Sequence, residues 1–446
     1  MNETQLVPLA CVQKEKGFVK HYQSEELVMI PKDYQEKSIE LRGAWIATVG
    51  HVDLPSCESR ENFQAAYIKA LDEMVTYHMN AVFVQVRPMN DAYYESRLNP
   101  YSRYLCGGAD GFVEGKNPGF DVMNFFIDET HNRGMEFHAW LNPYRVTSTH
   151  GINTADLTLE EKQALKEKEL NKLHPTNFAK QNPDTLLMSA DGQLIYDPGN
   201  PKAKKFILAT IEEIIQNYKV DGIHFDDYFY PSSGIDTDLS DQKTYQLYGT
   251  GDNIEDFRRN SVTALVKDIK ELVDSHNAKG NRVIFGISPF GMWRHRKNDE
   301  RGSNSDGGEA YTKWYADTLL WVEKEYLHYI MPQLYWEFEH PVAKYADLAD
   351  WWSKVMKGSK VLVYIGTPFY RFDGYKDTVD RYSTPNMIKY AQKDDVIQGH
   401  VLWHNKKLYS QENGELVQSQ KILKSMWQHD VKIPKYDFEK KGSKYE

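Results

Sequence analysis

The chain is short of several things. Among its 446 residues are three cysteines, Cys11, Cys57 and Cys106. That odd, scattered set makes neither a disulfide framework nor a zinc pattern. No run approaches the ~18 apolar residues that a membrane span requires. Positive charge is in deficit, with a formal net charge of −10, which argues against a nucleic-acid partner, since phosphate backbones call for a basic face. The G-x-G-x-x-G and G-x-x-x-x-G-K-[ST] signatures of nucleotide binding are missing, as is the G-x-S-x-G elbow of serine hydrolases. The N-terminus, "MNETQLVPLAC", has neither a basic n-region nor an apolar h-region. Its "PLAC" looks like the end of a lipoprotein signal from which the preceding segment is missing.

Aromatic residues, by contrast, are plentiful: 10 Trp and 29 Tyr. In an acidic chain they suggest either stacking surfaces for a neutral ligand or a large aromatic core. Apolar residues make up 41%, enough for a real core and unlike a disordered composition. Eight strand-like runs recur, at 41–49, 81–88, 136–145, 221–228, 282–291, 329–336, 360–370 and 399–405. Helical patterns separate them. Within 62–79, Phe63, Tyr67, Leu71, Met74, Val75 and His78 form one stripe, as apolar residues three or four apart do on a helix. Within 203–218, Phe206, Ile207, Ile211, Ile214, Ile215 and Tyr218 do the same, behind an Asn200-Pro201 start suited to a helix N-terminus. Further helices are expected near 121–133, 254–276, 309–326, 341–357, 385–393 and 417–428.

Strand then helix, eight times, predicts an α/β fold of the (β/α)8 TIM-barrel type. Long βα loops are expected after strands 3, 4 and 5, at 146–200, 231–253 and 292–308. The first contains a capping box, Thr158 to Glu161, and a hairpin turning at Asp191-Gly192. Residues 41–429 are read as one barrel domain, 1–40 as an N-terminal extension and 430–446 as a C-terminal tail.

Strand side chains alternate in direction. In "VDGIHFDDYFYP" (220–231), Ile223 and Phe225 should face the helices. His224 and Asp226 should face the axis, with Asp226 at the C-terminal mouth. Asp227 should turn outward unless the strand has ended. Gln85 and Arg87, then Asp91, are expected on the inner side of the second strand. His138, Trp140 and Asn142 share a face, as do Gly286 and Ser288, and as do Gln333, Tyr335 and Glu337. The eighth strand offers His400 and His404. Polar groups converging from so many strands on one rim read as a site.

Carboxylates among Trp and Tyr at a barrel mouth suit glycoside hydrolysis, in which one carboxylate supports the oxocarbenium-like carbon and a second, with a raised pKa, protonates the leaving oxygen. Trp45, Trp140, Trp293, Trp336 and Trp403 lie on or just after strands, as sugar platforms or as packing beneath helices. The "FDD" strand end with His400-x-x-x-His404 also fits metal-dependent polysaccharide deacetylases. In a strand, however, those histidines stand ~13 Å apart, and in deacetylases the Asp pair comes early in the barrel. No metal or cofactor is expected.

"LRGAWIATVGHVDLPS", "VQVRPMNDAYYES", "WLNPYR", "YDPGNP", "VDGIHFDDYFYP" and "MPQLYW" resemble the bacterial glycoside hydrolase-like family 10 proteins, also known as domain of unknown function 187. The resemblance runs in order over roughly 40–430. It implies a (β/α)8 barrel acting on a bacterial glycan. Some relatives are cell-envelope proteins, often lipoproteins, that cut the glycan strands of peptidoglycan. It points to Arg87, Asp91, Asn142, Arg145, Asp226 and Asp227. The family's "DWPS" reads "DLPS" here, with Leu54 replacing a tryptophan. A looser analogy to α-amylase-type barrels, whose fourth strand ends "DGFRxD", matches "DGIHFD" and implicates Asp226.

These readings make Asp226 the expected nucleophile or base. The acid is Glu337, Asp91 or Asp227, in that order of physical plausibility. Arg87, Trp140, Asn142, Arg145, His224, Tyr228, Trp293, Gln333, Tyr335, Trp336 and Trp403 are the expected substrate-binding groups. The expected partner is a poly- or oligosaccharide outside the cytoplasm. A non-catalytic glycan-binding barrel is the main alternative.

Overall fold

The computed structural model describes residues 5–106, 114–149, 151–251, 253–372 and 377–439. Its centre is a wholly parallel sheet. We number its strands β1 (Leu41–Ile46), β2 (Ala81–Arg87), β3 (Glu136–Leu141), β4 (Gly222–Phe225), β5 (Ile284–Ile287), β6 (Tyr329–Ile330), β7 (Leu362–Val363 and Ile365–Pro368) and β8 (Gly399–Trp403). Each pairs with its sequence neighbour, and β8 pairs with β1. The first half of β7 pairs with β6 and its second half with β8, so the ring closes through one interrupted strand. The ladder of β6 is short because Pro332 has no N–H to donate. The chain nevertheless stays in line, through parallel bridges from Gln333 to Phe290 and Gly366.

A helix follows every strand: α1 (Arg60–Val75), α2 (Val122–His131), α3 (Pro201–Asn217), α4 (Ile254–Asn277), α5 (Thr318–Glu323), α6 (Tyr345–Met356), α7 (Ser383–Tyr390) and α8 (Gly414–Met426). They form largely where the 3.6-residue stripes place them, although α1 ends at the exposed Val75 and leaves His78 outside it at a φ of 51°. In α3, Phe206, Ile207, Ile211, Ile214 and Ile215 are buried, and the Asn200 side chain accepts from the N–H groups of Lys202 and Ala203. The 309–326 segment departs from one helix. It breaks after Lys313 and resumes at Thr318, with Tyr315 at a φ of 53° between.

Two apolar layers result. One lies between sheet and helices. The other fills the barrel and contains Trp45, Phe83, Trp140, Tyr329, Met331 and Tyr364. Glycines make that inner layer possible. A Cβ on Gly222 would stand 2.2 Å from the His138 ring, and one on Gly286 would stand 2.2 Å from the Tyr329 ring.

The segment joining β3 to α3 holds a capped helix at Leu159–Lys172 and a hairpin pairing Leu186–Met188 with Leu194–Tyr196. Gly192 takes the positive φ of the hairpin turn, at 84°. This insert leans on the segment after β4 through the Ser189–Ile235 bridge and the ion pair of Lys162 with Asp236. The N-terminal residues form a second hairpin, Leu6–Pro8 with Met29–Pro31. Its Leu9, Val28 and Ile30 join the main apolar layer. Cys11 is buried in that hairpin, and its N–H is bonded to the Gly17 carbonyl. Among the described residues no helix is long and apolar enough to cross a membrane.

Candidate active site

β4 ends at Phe225, so the next two residues leave the strand's alternation. Asp226 and Asp227 therefore both line one cavity at the C-terminal mouth. Its volume is about 250 Å³, and its other walls are Trp45, Trp140, Tyr228, Ser288, Gln333, Tyr335 and Trp403.

Asp226 is held from several sides. Trp140 Nε1 donates to its Oδ2 at 3.0 Å, and Asn142 Nδ2 reaches Oδ1 at 3.1 Å and Oδ2 at 3.2 Å. The N–H of Tyr228 approaches Oδ1 at 3.4 Å. Asn142 is itself fixed, because its Oδ1 accepts from the Arg145 backbone N–H at 2.9 Å. Burial raises the Asp226 pKa, while the nearby Arg145 charge and the two side-chain donors oppose that rise. Asp227 has less help. Burial, reinforced by the Asp226 charge, pushes it up to about 7 against a weaker pull from Gln333 and Arg145. Two carboxyls in one cavity are thereby driven apart in acidity, the arrangement that separates an acid from its ionised partner.

The walls are aromatic. Trp403 meets Trp45 at 6.1 Å and Trp140 at 6.0 Å between ring centroids, edge to face. The Tyr335 ring meets Tyr370 at 6.1 Å, and burial keeps the Tyr335 hydroxyl protonated far above neutrality. Gln333 donates to the Ser288 carbonyl at 2.8 Å. At the rim, Arg145 stacks 4.2 Å over Tyr228, which is 49% exposed. An antiparallel bridge to Ile195 of the insert hairpin holds Arg145 there.

His224 faces the axis as the alternation implies, yet it is fully buried and lies beneath the cavity rather than on its wall. Its Nε2 accepts from Trp45 Nε1 at 3.2 Å and sits 2.9 Å from Ser288 Oγ. An indole N–H only donates, so Nε2 carries the lone pair and Nδ1 the proton, which points at Tyr329 Oη, 2.9 Å away. Burial, with the His138 charge beside it, holds the His224 pKa well below the usual range. His224 thus supports Trp45 and Ser288 as a neutral ring and does not touch a ligand in the cavity.

Other expected positions lie elsewhere. A register shift between Gln85 and Arg87 turns Arg87 out of the barrel. Its guanidinium donates to the Asn142 carbonyl at 2.7 Å and lies over Phe206 of α3. Asp91 is fully buried in the loop after β2, accepting from Ser102 Oγ at 2.9 Å and from the Arg103 N–H. Burial pushes it up to about 6, but it is not among the residues that line the cavity. Glu337 faces Arg371 at 3.3 Å on a separate small cavity. Trp293 lies buried within the segment after β5, stacked 6.2 Å from Trp351 and donating to Asp317. Trp336 packs edge-on against Phe290, also off the cavity wall. His400 is bonded to Thr367 and His404 to Asp53. Among the described residues no group of three or more His, Cys, Asp or Glu is placed to hold a metal ion. Trp45, one of the five tryptophans read as platform or packing, and Ser288, an inner-face position of the fifth strand run, both line the cavity, although neither stands in the final set of expected substrate-binding groups. Their signal was present: each is an inner-face position at or just past the end of its strand.

Comparisons with known proteins bear on the family and the fold. The family described as Glycosyl hydrolase-like 10 matches residues 40–383. The chain is 41% identical over 343 residues to glycosyl hydrolase YngK of Bacillus subtilis strain 168, a match covering 76% of this chain and 62% of that protein. It is 37% identical over 353 residues to glycosyl hydrolase DigH of Escherichia coli K12, covering 76% of each. Among solved structures, the PgaB (BpsB) glycoside hydrolase domain from Bordetella bronchiseptica superposes with a TM-score of 0.50 at 11% identity, covering 87% of this chain and 99% of that one. That likeness bears on the fold alone.

Proposed function

The chain belongs to the glycosyl hydrolase-like 10 family, and from that premise we propose that it hydrolyses glycosidic bonds in a cell-envelope glycan such as the strands of peptidoglycan. One observation carries the proposal. Two carboxyls share a cavity walled by three indoles, and their surroundings push the second up to about 7. Asp227 is then the general acid, protonated near neutrality and able to protonate the leaving oxygen. Asp226, held by Trp140 and Asn142, is the partner that is ionised and supports positive charge at the anomeric carbon. Trp45, Trp140 and Trp403 offer faces and edges for the apolar side of a sugar ring. Tyr335, Gln333 and Ser288 supply donors and acceptors for its hydroxyls. The substrate lies outside the cytoplasm, and the protein would act there.

The test uses peptidoglycan glycan strands stripped of peptides, incubated with the wild-type protein and with Asp226→Asn and Asp227→Asn, the products being analysed by mass spectrometry. Shortened strands with reducing ends from the wild type alone support the hydrolase. Binding by all three proteins without cleavage by any would favour a glycan-binding barrel and sink the proposal.

A further inference from the structure

The cavity poses a chemical problem that rests on the hydrolase reading. Displacement with a protein nucleophile needs two carboxyls on opposite faces of the sugar, about 5–5.5 Å apart, and displacement by water needs about 6.5–9.5 Å. Here the only acids lining the cavity, among the described residues, are Asp226 and Asp227. They are consecutive, with Cα atoms ~3.8 Å apart, and both leave the end of one strand. They therefore share a wall, and the walls beyond them carry Trp45, Trp403, Tyr335, Ser288 and Gln333. Nearby acids are committed elsewhere: Asp53 to His404 and the Ala47 N–H, Glu337 to Arg371.

Nor is Asp226 free to attack. Both its oxygens are pinned by Trp140, Asn142 and the Tyr228 N–H. A carboxylate so fixed is a preorganised acceptor, and one N–H of a substrate would complete its shell. The cavity's volume, about 250 Å³, falls below the ~300–1,000 Å³ typical of drug-sized ligands and suits one sugar unit. The indole corner made by Trp45, Trp140 and Trp403 gives an apolar seat for a methyl group beside that acceptor.

We propose that the nucleophile comes from the substrate: the sugar bound in this cavity carries a 2-acetamido group whose carbonyl oxygen attacks C1, with Asp226 receiving the amide N–H. The electron count is simple. The Asp227 proton goes to the glycosidic oxygen, and the C1–O bond breaks with its pair on that oxygen. The acetamido oxygen bonds to C1, giving an oxazolinium whose N–H lies against Asp226. Water then adds to C1, the C1–O bond of the five-membered ring breaks, and the water proton returns to Asp227. The anomeric configuration is retained, and no glycosyl–enzyme bond forms.

The experiment takes peptide-free glycan strands, removes their N-acetyl groups chemically, and re-acylates separate portions with acetyl or trifluoroacetyl groups. Native and re-acetylated strands should be cut at equal rates. Trifluoroacetylated strands should be cut at least ~100-fold more slowly, because electron withdrawal weakens the attacking oxygen. Products from native strands should first appear with retained configuration. Rates within about threefold for the two acyl groups, inversion at C1, or a sugar ester found on Asp226 would each overturn the proposal while leaving the hydrolase reading intact. Failure to cut native strands would instead remove that reading, and the proposal with it.

Discussion

Asp227 shows how far a residue's surroundings set its acidity. A carboxyl pushed up to about 7 predicts an alkaline limb near pH 7 in kcat/KM, as the acid loses its proton. Asp227→Asn should abolish that limb and lower kcat/KM by ~10²–10⁴, the usual contribution of a positioned general acid. The same shift has a stability sign. An unfolded Asp loses its proton near pH 4, whereas the folded one keeps it until about 7, so between those values the folded state binds more protons. Stability therefore falls as pH rises through that window and levels off above it. Asp227→Asn, which carries no charge, should be the more stable protein at pH 8, by roughly 1–2 kcal/mol after allowance for its partial exposure to the cleft. The gain should vanish by pH 4. Thermal melts of both proteins across this range check it, and an equal or lower melting temperature for the variant at pH 8 would refute the burial argument. Asp226 and Asp227 could be found in the sequence, since paired acids at a strand end stand out. The division of labour proposed for them could not. It depends on Trp140 and Asn142, 86 and 84 residues away in sequence from Asp226, choosing one carboxyl and not the other.

Elements were legible wherever a period was clean. The 3.6-residue stripe of α3, the Phe63-to-Met74 part of that of α1 and the apolar runs of β1 to β5 appear where the sequence puts them. Two irregularities were not legible. Counting alternation through Val86 points Arg87 inward, but the shift between Gln85 and Arg87 resets the face. Counting past Pro332 carries Glu337 to the mouth, but the ladder of β6 has ended and the chain delivers Glu337 to Arg371 instead. A bulge or a lost ladder bond leaves no periodic trace, so the error falls on residues beyond it. The glycines of β4 and β5 act at this scale too. Gly286→Ala would put a methyl group into the Tyr329 ring and push it from His224. The expected cost is about 3 kcal/mol of overpacking, read by chemical denaturation, with reduced activity because His224 supports Trp45 and Ser288. A cost under about 0.5 kcal/mol would show that the inner layer yields more easily than its close contacts imply.

At the scale of the molecule, the barrel is clasped by its own N-terminal segment. The hairpin of residues 6–31 packs beside α7, and its turn reaches α6 and the loop after β5. The Tyr22 N–H donates to Asp347 Oδ2 at 3.0 Å, Asn304 donates to the Tyr22 carbonyl at 2.7 Å, and His21 Nδ1 stands 3.3 Å from Asp347 Oδ1. A cleft of about 770 Å³ lies among these parts, so the turn of the clasp is held by a few polar contacts, while Leu9, Val28 and Ile30 at its base join the main apolar layer. His21 is the titratable one. Its hydrogen bond to Asp347, aided by the charges of Asp350 and Glu26, outweighs partial burial and raises its pKa above the usual 6.5. A raised histidine stabilises the folded state fully below about pH 6.5, and that contribution is lost as pH rises through the higher folded value. The clasp should therefore loosen on the alkaline side. Amide exchange of residues 18–31, corrected for intrinsic rates, should be ~3-fold less protected at pH 8.5 than at pH 6, in keeping with ~0.5–1 kcal/mol for a half-buried pair. His21→Gln should show the looser behaviour at both pH values, while exchange in β1 to β5 stays unchanged. If wild type and His21→Gln had the same pH dependence, the turn would owe its hold to its other contacts, those of Tyr22 and Asn304 among them, and the His21–Asp347 pair would be a bystander.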